Sequence, residues 1–594
     1  MFRLRLAVVA AAALLLIPLT ACTGRSDTEV VRSFLDALAA GNVAAAAGET
    51  DSPQQAQRSL EASHRQLEPE SVSTSLLGIR ETGGGEQVAD YEITWRFGDG
   101  QDWRYRSRAP LTDTDDGRKV RWSPAVLHPQ LEPGQTLARR QQQPLLSPVL
   151  DRDGVPLMSP DQVVSITLDP KQAGDVAAVA GSLADALGEI EPSITQQSIL
   201  DGVEQNPDSP YSVVSLRRDD YERVKDRIHD LPGVRFPVQD RLLATESGYA
   251  SQALSGVSQL ATEQATERAG WKVVALDRSG AEVRELHATD SQPAPVTETT
   301  LSDRVQRAAE RAVDPVPQAA MLVAVQPSTG ELLAVAQNEP ADAQGSLALS
   351  GQYPPGSTFK TVTATAVLES GAAGIDTPVE CPPTKTFNGR VIPNDEEFDL
   401  GTVPLRTAFA HSCNTTFAQL AVDQEPGSLP EAAEKLGLGV DFEMPGAVTI
   451  TGNVPRSEDT VQRAENGIGQ GKVVASPFGM ALVAASAANG SMPVPKLIRG
   501  TETEADAAPP PLAPEAADQL RAMMREVVTG GTATRLQGAG EVAGKTGTAQ
   551  YGDGSRAHGW FIGYRDDLAF AVLITDAGSS GPAVDLAGDF LNGL

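Results

Sequence analysis

"YPPGSTFKTVTA", residues 353–364, is the stretch on which the reading of this chain turns. Pro354-Pro355-Gly356 is turn chemistry, and Ser357-Thr358-Phe359-Lys360 follows it directly. Residues three apart share a helix face, so Ser357 and Lys360 fall on the same side. A serine is a weak nucleophile until a base takes its proton. A lysine is such a base only when neutral, and its free pKa of about 10.4 must first be lowered by burial or by a nearby cation. The stretch is therefore either an ordinary helix start or a nucleophile with its base one turn behind.

Two patterns downstream favour the nucleophile. Ser412-Cys413-Asn414 lies within "HSCNTTF", and Lys545-Thr546-Gly547 within "AGKTGTAQ". Of the ten lysines, only Lys360 has a serine three residues before it. Only Asn414 among the asparagines has a serine two before it, and Lys-Thr-Gly occurs once. Lys545 supplies the candidate second cation.

Ser-x-x-Lys, Ser-x-Asn and Lys-Thr-Gly, in that order, resemble the signature shared by penicillin-binding proteins and serine β-lactamases. "PSTGELLAVA", "GIGQG" at 467–471 and "VVTGGTATRL" are also similar to the transpeptidase domain of that family, over residues 300–594. The resemblance implies a β-lactamase-like domain in which helices sandwich a sheet. It implies that Ser357 is acylated, that Lys360 takes its proton and that Ser412 relays a proton to the leaving amine. Asn414 and Lys545 would hold the network. Thr546, Gly547 and Thr548 would bind the substrate, the two threonines holding its carboxylate, and the N–H groups of Ser357 and Thr548 would form the oxyanion hole. The implied function is a peptidoglycan D,D-transpeptidase. It would act on stem peptides, bind β-lactams and work beside a cell-wall glycosyltransferase. A D,D-carboxypeptidase or β-lactamase-like hydrolase, deacylated by water, is the alternative. Roughly 300 residues upstream of the domain speak against a β-lactamase. A non-catalytic β-lactam sensor or scaffold is a third reading, against which the intact motifs argue.

The expected fold class is multidomain α+β. In the last domain, "MLVAVQPSTGELLAVAQ" and "HGWFIGYRDDLAFAVLITD" each give two apolar runs around a turn. One sheet assembled from distant segments is expected, closed by a terminal helix in "GPAVDLAGDFLNGL". Upstream, "SPVLDRDGVPL" resembles the start of the pedestal (dimerisation) domain of class B penicillin-binding proteins, without the Arg-Gly that usually precedes it. That domain is expected over 145–295. In 28–135, Val31, Phe34, Leu35 and Leu38 fall on one helix face, and a second helix is expected in the Gln- and Glu-rich stretch beyond. Tyr91, Ile93, Trp95 and Phe97 then alternate with polar residues, as do Trp103 with Tyr105 and Val120 with Trp122. This α+β unit resembles the NTF2-like extension of the methicillin-resistance type.

Arg3 and Arg5 precede an apolar run from Leu6 to Ile17 and then "LTAC". The run is short for a bilayer and suits a signal peptide. A small residue before Cys22 resembles a bacterial lipoprotein signal. Residues 1–21 would be removed, Cys22 lipidated, and residues 22–27 left as a tether to the extracytoplasmic face of the membrane. An uncleaved anchor or ordinary signal peptide stays open. In that compartment Cys381 and Cys413 form an even pair in a disulfide-permissive place. Their distance is not readable from sequence, and Cys413 is either packing or half of a bridge. The six histidines are scattered, so neither a metal site nor a cofactor is expected. A net charge of −30 argues against nucleic acid as a partner.

Overall fold

The computed structural model describes residues 25–98, 100–552 and 554–594. The expected signal peptide, Cys22 and the start of the tether lie outside the described residues. The chain divides into two compact units.

The first unit begins at a helix, Asp27–Ala39. The Ser26 hydroxyl accepts from the Glu29 N–H, and the Glu29 carboxylate accepts from the Ser26 N–H. This reciprocal box satisfies two donors that a helix start leaves open. Val30, Val31, Phe34, Leu35 and Leu38 form its buried stripe. A second long helix, Pro53–Leu67, follows where the Gln-rich stretch placed it. Four antiparallel strands come next in chain order: Ser71–Glu81, Gln87–Arg96, Asp102–Thr114 and Gly117–Val120. Tyr91, Ile93 and Trp95 turn inward and are buried, as their alternation predicts.

This unit also takes in a later segment. Thr136–Gln141 and Glu282–Thr289 flank Trp271–Leu276 in a three-stranded antiparallel sheet. Trp271, Val273 and Ala275 are buried in one core with Tyr91 and Trp95. The unit therefore comprises the described residues up to Pro144 together with Arg268–Gln292. Sequence alone places 268–292 in the 145–295 domain, and the structure assigns it to the first unit instead. The pairing that draws this segment back, Trp271 with Gln141, is remote in sequence and leaves no local pattern.

The second unit holds Leu145–Glu267 and Pro293–Leu594. Its first part is organised by the long strand Pro156–Leu168, which pairs with Val238–Ala244 and Tyr211–Arg217. Helices Val176–Leu187, Gln196–Gln205 and Arg218–Ile228 close a separate core over Ile166 and Leu168. In the "DRDG" turn, Asp151 Oδ1 accepts from the N–H groups of Asp153 and Val155, and Oδ2 accepts from the Asp303 N–H. The turn thus starts the helix Asp303–Val313, whose apolar side is Val305, Ala308, Ala309 and Ala312.

A five-stranded sheet follows in the order Leu332–Gln337, Ala320–Val325, Leu568–Ile574, Arg556–Arg565, Ala543–Tyr551. It joins a hairpin near residue 330 to three strands from the chain's end, as the apolar runs implied. Every residue of Ala320–Val325 and Leu332–Gln337 is buried, which requires cover on both faces. Pro477–Asn489 packs on this sheet, as do Asp303–Val313 and the terminal helix Gly581–Asn592, which also pack on each other. Ala543–Tyr551 is left as an edge strand, and the candidate site lies against it. No helix among the described residues is long and apolar enough to cross a membrane.

Candidate active site

Pro354-Pro355-Gly356 leads into a short 3-10 turn, Gly356–Phe359, which runs straight into the helix Lys360–Glu369. Gly356 has φ +53°, a left-handed conformation that costs glycine little. A Cβ there would also lie 2.7 Å from Thr548 O. The turn is held from behind by Trp560 Nε1, which donates to Pro354 O at 2.9 Å. It presents Ser357 half-buried, one turn ahead of a fully buried Lys360.

Ser412 and Asn414 come from the junction of Leu405–Ala410 with Asn414–Asp423. Ser412 adopts φ +63°, an uncommon conformation for a residue with a Cβ. The Cys413 N–H donates to Ala408 O at 2.8 Å, and a disulfide joins Cys413 to Cys381. Asn414 Nδ2 donates to Pro393 O at 2.9 Å, which turns its oxygen toward Lys360.

Lys545 lies on the edge strand. Gly547 lets that strand approach the serine turn, since a Cβ would meet Pro355 O at 2.9 Å and the Thr358 nitrogen at 3.1 Å. Thr546 Oγ1 shares a 2.7 Å hydrogen bond with Thr532 Oγ1. Thr548 Oγ1 accepts from the Ser580 N–H at 3.2 Å.

These segments converge on two buried amines. Lys360 Nζ lies 3.0 Å from Ser357 Oγ, 3.1 Å from Ser412 Oγ, 2.7 Å from Ser412 O and 2.6 Å from Asn414 Oδ1. Lys545 Nζ lies 3.0 Å from Ser412 Oγ and donates to Thr546 O at 3.0 Å. Ser412 Oγ is therefore within hydrogen-bond reach of both lysines. Burial pushes Lys360 well below the ordinary lysine value, the charge of Lys545 pushes it further, and Asp395 opposes them. Burial lowers Lys545 to about 7.

Donor counting shows what this favours. A neutral lysine has two N–H donors and one lone pair. The carbonyl of Ser412 and the amide oxygen of Asn414 can only accept. They use both donors and leave the lone pair to a serine hydroxyl. Among the described residues no group of His, Cys, Asp and Glu is arranged to hold a metal ion.

Residues 320–590 match the model for the penicillin-binding protein transpeptidase domain, and residues 26–135 match that for the NTF2-like N-terminal transpeptidase domain. The chain carries a penicillin-binding protein transpeptidase domain, preceded in sequence by an NTF2-like N-terminal one. The peptidoglycan D,D-transpeptidase PbpA of Mycobacterium tuberculosis is 28% identical over 329 residues, covering 47% of this chain and 66% of that protein. This chain thus spans just under two thirds of that relative. PbpA of Mycolicibacterium smegmatis is 29% identical over 336 residues, covering 47% and 67%. The peptidoglycan D,D-transpeptidase FtsI of Escherichia coli is 24% identical over 460 residues, covering 71% of this chain and 76% of that one.

In the matched domain the structure brings together Ser357, Lys360, Ser412, Asn414, Lys545 and Thr546. Sequence reasoning missed the residues that position them. Asn394 is buried: Nδ2 donates to Pro382 O and Phe398 O, and Oδ1 accepts from the Thr415 N–H. Gly469, in "GIGQG", accepts from the Gly356 N–H through its carbonyl. Both act on backbone atoms, Asn394 through its side-chain amide and Gly469 through its carbonyl, and only the repeated glycines of that loop hint at a close approach.

Proposed function

We propose that this protein is a peptidoglycan D,D-transpeptidase that works through an acyl-enzyme on Ser357. The observation that carries the reading is Lys360 Nζ, 3.0 Å from Ser357 Oγ, with two obligate acceptors on its other sides. Ser357 Oγ attacks the carbonyl carbon of the penultimate residue of a stem peptide ending in D-Ala-D-Ala, and its proton passes to Lys360 Nζ. The oxygen gains negative charge beside the N–H groups of Ser357 and Thr548. Ser357 falls in the first turn, where an N–H has no intrahelical partner. One such donor is worth about 3 kcal/mol of barrier.

The carbon–nitrogen bond to the terminal D-Ala then breaks. Ser412 hands the leaving amine a proton, drawn from the pool shared with Lys360 and Lys545. The carboxylate of that D-Ala lies near Lys545 and Thr546. An amine from a second stem attacks the ester and loses its proton along the same route. It displaces Ser357 Oγ, which regains a proton, and the cross-link is an amide. A β-lactam enters the same site and acylates Ser357.

The reading includes a place for the work. Cys22, lipidated, would hold the protein at the extracytoplasmic face of the membrane, beside a glycosyltransferase that supplies glycan strands.

One experiment tests the reaction. Wild type and Ser357→Ala are incubated with labelled penicillin, then with a stem-peptide donor with and without an acceptor amine. Label on wild type alone, and product that incorporates the amine, are expected. An unlabelled wild type would end the proposal. Hydrolysis without amine transfer would make the protein a D,D-carboxypeptidase.

A further inference from the structure

Among the described residues, the edge strand Ala543–Tyr551 pairs on one side only, with Arg556–Arg565. Backbone groups of an antiparallel strand point alternately toward the partner and away from it. Thr546 O accepts from Lys545 Nζ and so faces outward. Alternation puts the backbone groups of Thr548 and Gln550 on the same side, away from the partner strand. Such an edge is a template for an extended chain.

The rung at Gln550 is already taken. Gln470 lies in the 467–471 loop and turns its side-chain amide to the Gln550 backbone. Oriented as its partners require, the amide donates to Gln550 O at 3.2 Å and accepts from the Gln550 N–H at 3.3 Å. Turned over, it would meet only the Gln550 side-chain oxygen, at 3.2 Å. A primary amide that satisfies both groups of one residue imitates one residue of a neighbouring strand. Its loop is fixed beside the nucleophile: the Gly356 N–H donates to Gly469 O at 2.9 Å, and a Cβ on Gly469 would lie 1.9 Å from Gly356 O.

We propose that Gln470 is a specificity-determining residue that limits how far an acyl donor can pair with the edge strand. The inference rests on the reading of Ser357 as the nucleophile and Thr548 as an oxyanion donor. A donor residue opposite Thr548 exchanges both backbone bonds with it. The next contact of an extended donor falls two residues along, about 7 Å away, at Gln550. That donor must displace the Gln470 amide. A donor whose chain turns away from the strand after one residue does not meet it.

The test compares two ester donors with the same reacting D-alanyl group. One carries a single acetyl cap, and the other continues as an extended peptide for two residues. Acylation rate constants at limiting donor are measured for wild type, Gln470→Ala and Gln470→Glu. The glutamate keeps the size of the side chain but cannot donate to Gln550 O. The ratio of extended to capped donor is expected to rise about tenfold in Gln470→Ala, the weight of one net hydrogen bond, and to rise in Gln470→Glu as well. A ratio that stays constant while both rates fall would make Gln470 a brace of the serine loop and overturn the proposal. A ratio that drops would make it a donor contact, which also overturns it. If neither donor acylates wild type, the acyl-transfer reading fails and takes this inference with it.

Discussion

Asn414 Oδ1 lies 2.6 Å from Lys360 Nζ, nearer than Ser357 Oγ at 3.0 Å. A neutral amide at that distance takes a hydrogen bond and adds no charge. A carboxylate would hold the lysine protonated and remove the base, since an opposite charge so near shifts a pKa by about 1 to 3 units. Asn414→Asp should therefore slow penicillin acylation by about 10 to 1000-fold at neutral pH. The loss should shrink as pH rises. Stopped-flow acylation against pH checks this, and a loss constant with pH would point to misplacement of Ser412 instead.

Lys360 and Lys545 are both lowered by burial, Lys545 to about 7. Lys360 becomes the free base as pH rises through its folded value, which gives the acid limb of the rate profile. Lys545 loses its charge as pH rises through about 7, which gives the alkaline limb. The two interact, so the limbs belong to the pair. Acylation should be bell-shaped, and Lys545→Arg, which stays charged, should flatten the alkaline limb. For stability the sign follows from proton uptake. From about pH 7 up to the ordinary lysine value, the unfolded chain holds more protons at Lys545 than the folded one, so stability rises with pH there. A rate with a single ionisation would contradict the pairing of roles.

The legible parts of this chain were those whose contacts are local or whose burial is one-sided. Tyr91, Ile93 and Trp95 alternate because one face of their strand meets the core. The preceding strand, Ser71–Glu81, went unread because serines and threonines fill its first half and a bulge between Leu76 and Gly78 breaks its period. The return of Trp271 to Gln141 depends on a pairing that no window contains. In the site, Ser357 and Lys360 are one helical turn apart and readable as such. The Lys545–Ser412 contact joins positions 133 residues apart and was legible only as a family motif. Asn394, Gly469 and Gln470 act on backbone atoms and carry no side-chain signature.

Gly547 has no left-handed backbone to protect, and its importance is spatial. A Cβ would lie 2.9 Å from both Pro355 O and Thr358 Cγ2. Neither the carbonyl nor the buried Thr358 can retreat without moving Ser357. Gly547→Ala should push the edge strand away from the serine turn. A loss of about 1 to 3 kcal/mol in unfolding free energy is expected, as for other overpacked sites. Acylation should fall further than that loss alone implies, because Thr548 N–H and Lys545 move with the strand. Denaturant unfolding and acylation of one preparation check both. A stable variant that acylates normally would show that the strand can yield.

Besides hydrogen bonds from Asn414, Thr415 and Thr416 to the carbonyls of Pro393, Pro382 and Glu380, a disulfide and a buried amide hold the segment before Ser412 to the helix after it. The disulfide joins Cys381 to Cys413 across 32 residues, and Asn394 joins Pro382 O and Phe398 O to the Thr415 N–H. They act on different states. The disulfide restricts the unfolded chain, so replacing both cysteines with alanine should cost about 2 to 4 kcal/mol of stability. The native site keeps its hydrogen-bonded ties, and acylation should stay within about tenfold of wild type, one lost hydrogen bond's worth of positioning. Asn394→Ala strips a partner from the buried Thr415 N–H and from the partly buried Phe398 and Pro382 carbonyls, the last of which keeps the Thr415 hydroxyl; it costs about 1 to 3 kcal/mol for each buried group left unsatisfied, and loosens the residue next to Asn414. It should lower acylation more than the loss of the disulfide does. If the cysteine-free protein were the slower of the two, the covalent tie would be what orients Ser412 and Asn414, and the amide a secondary support.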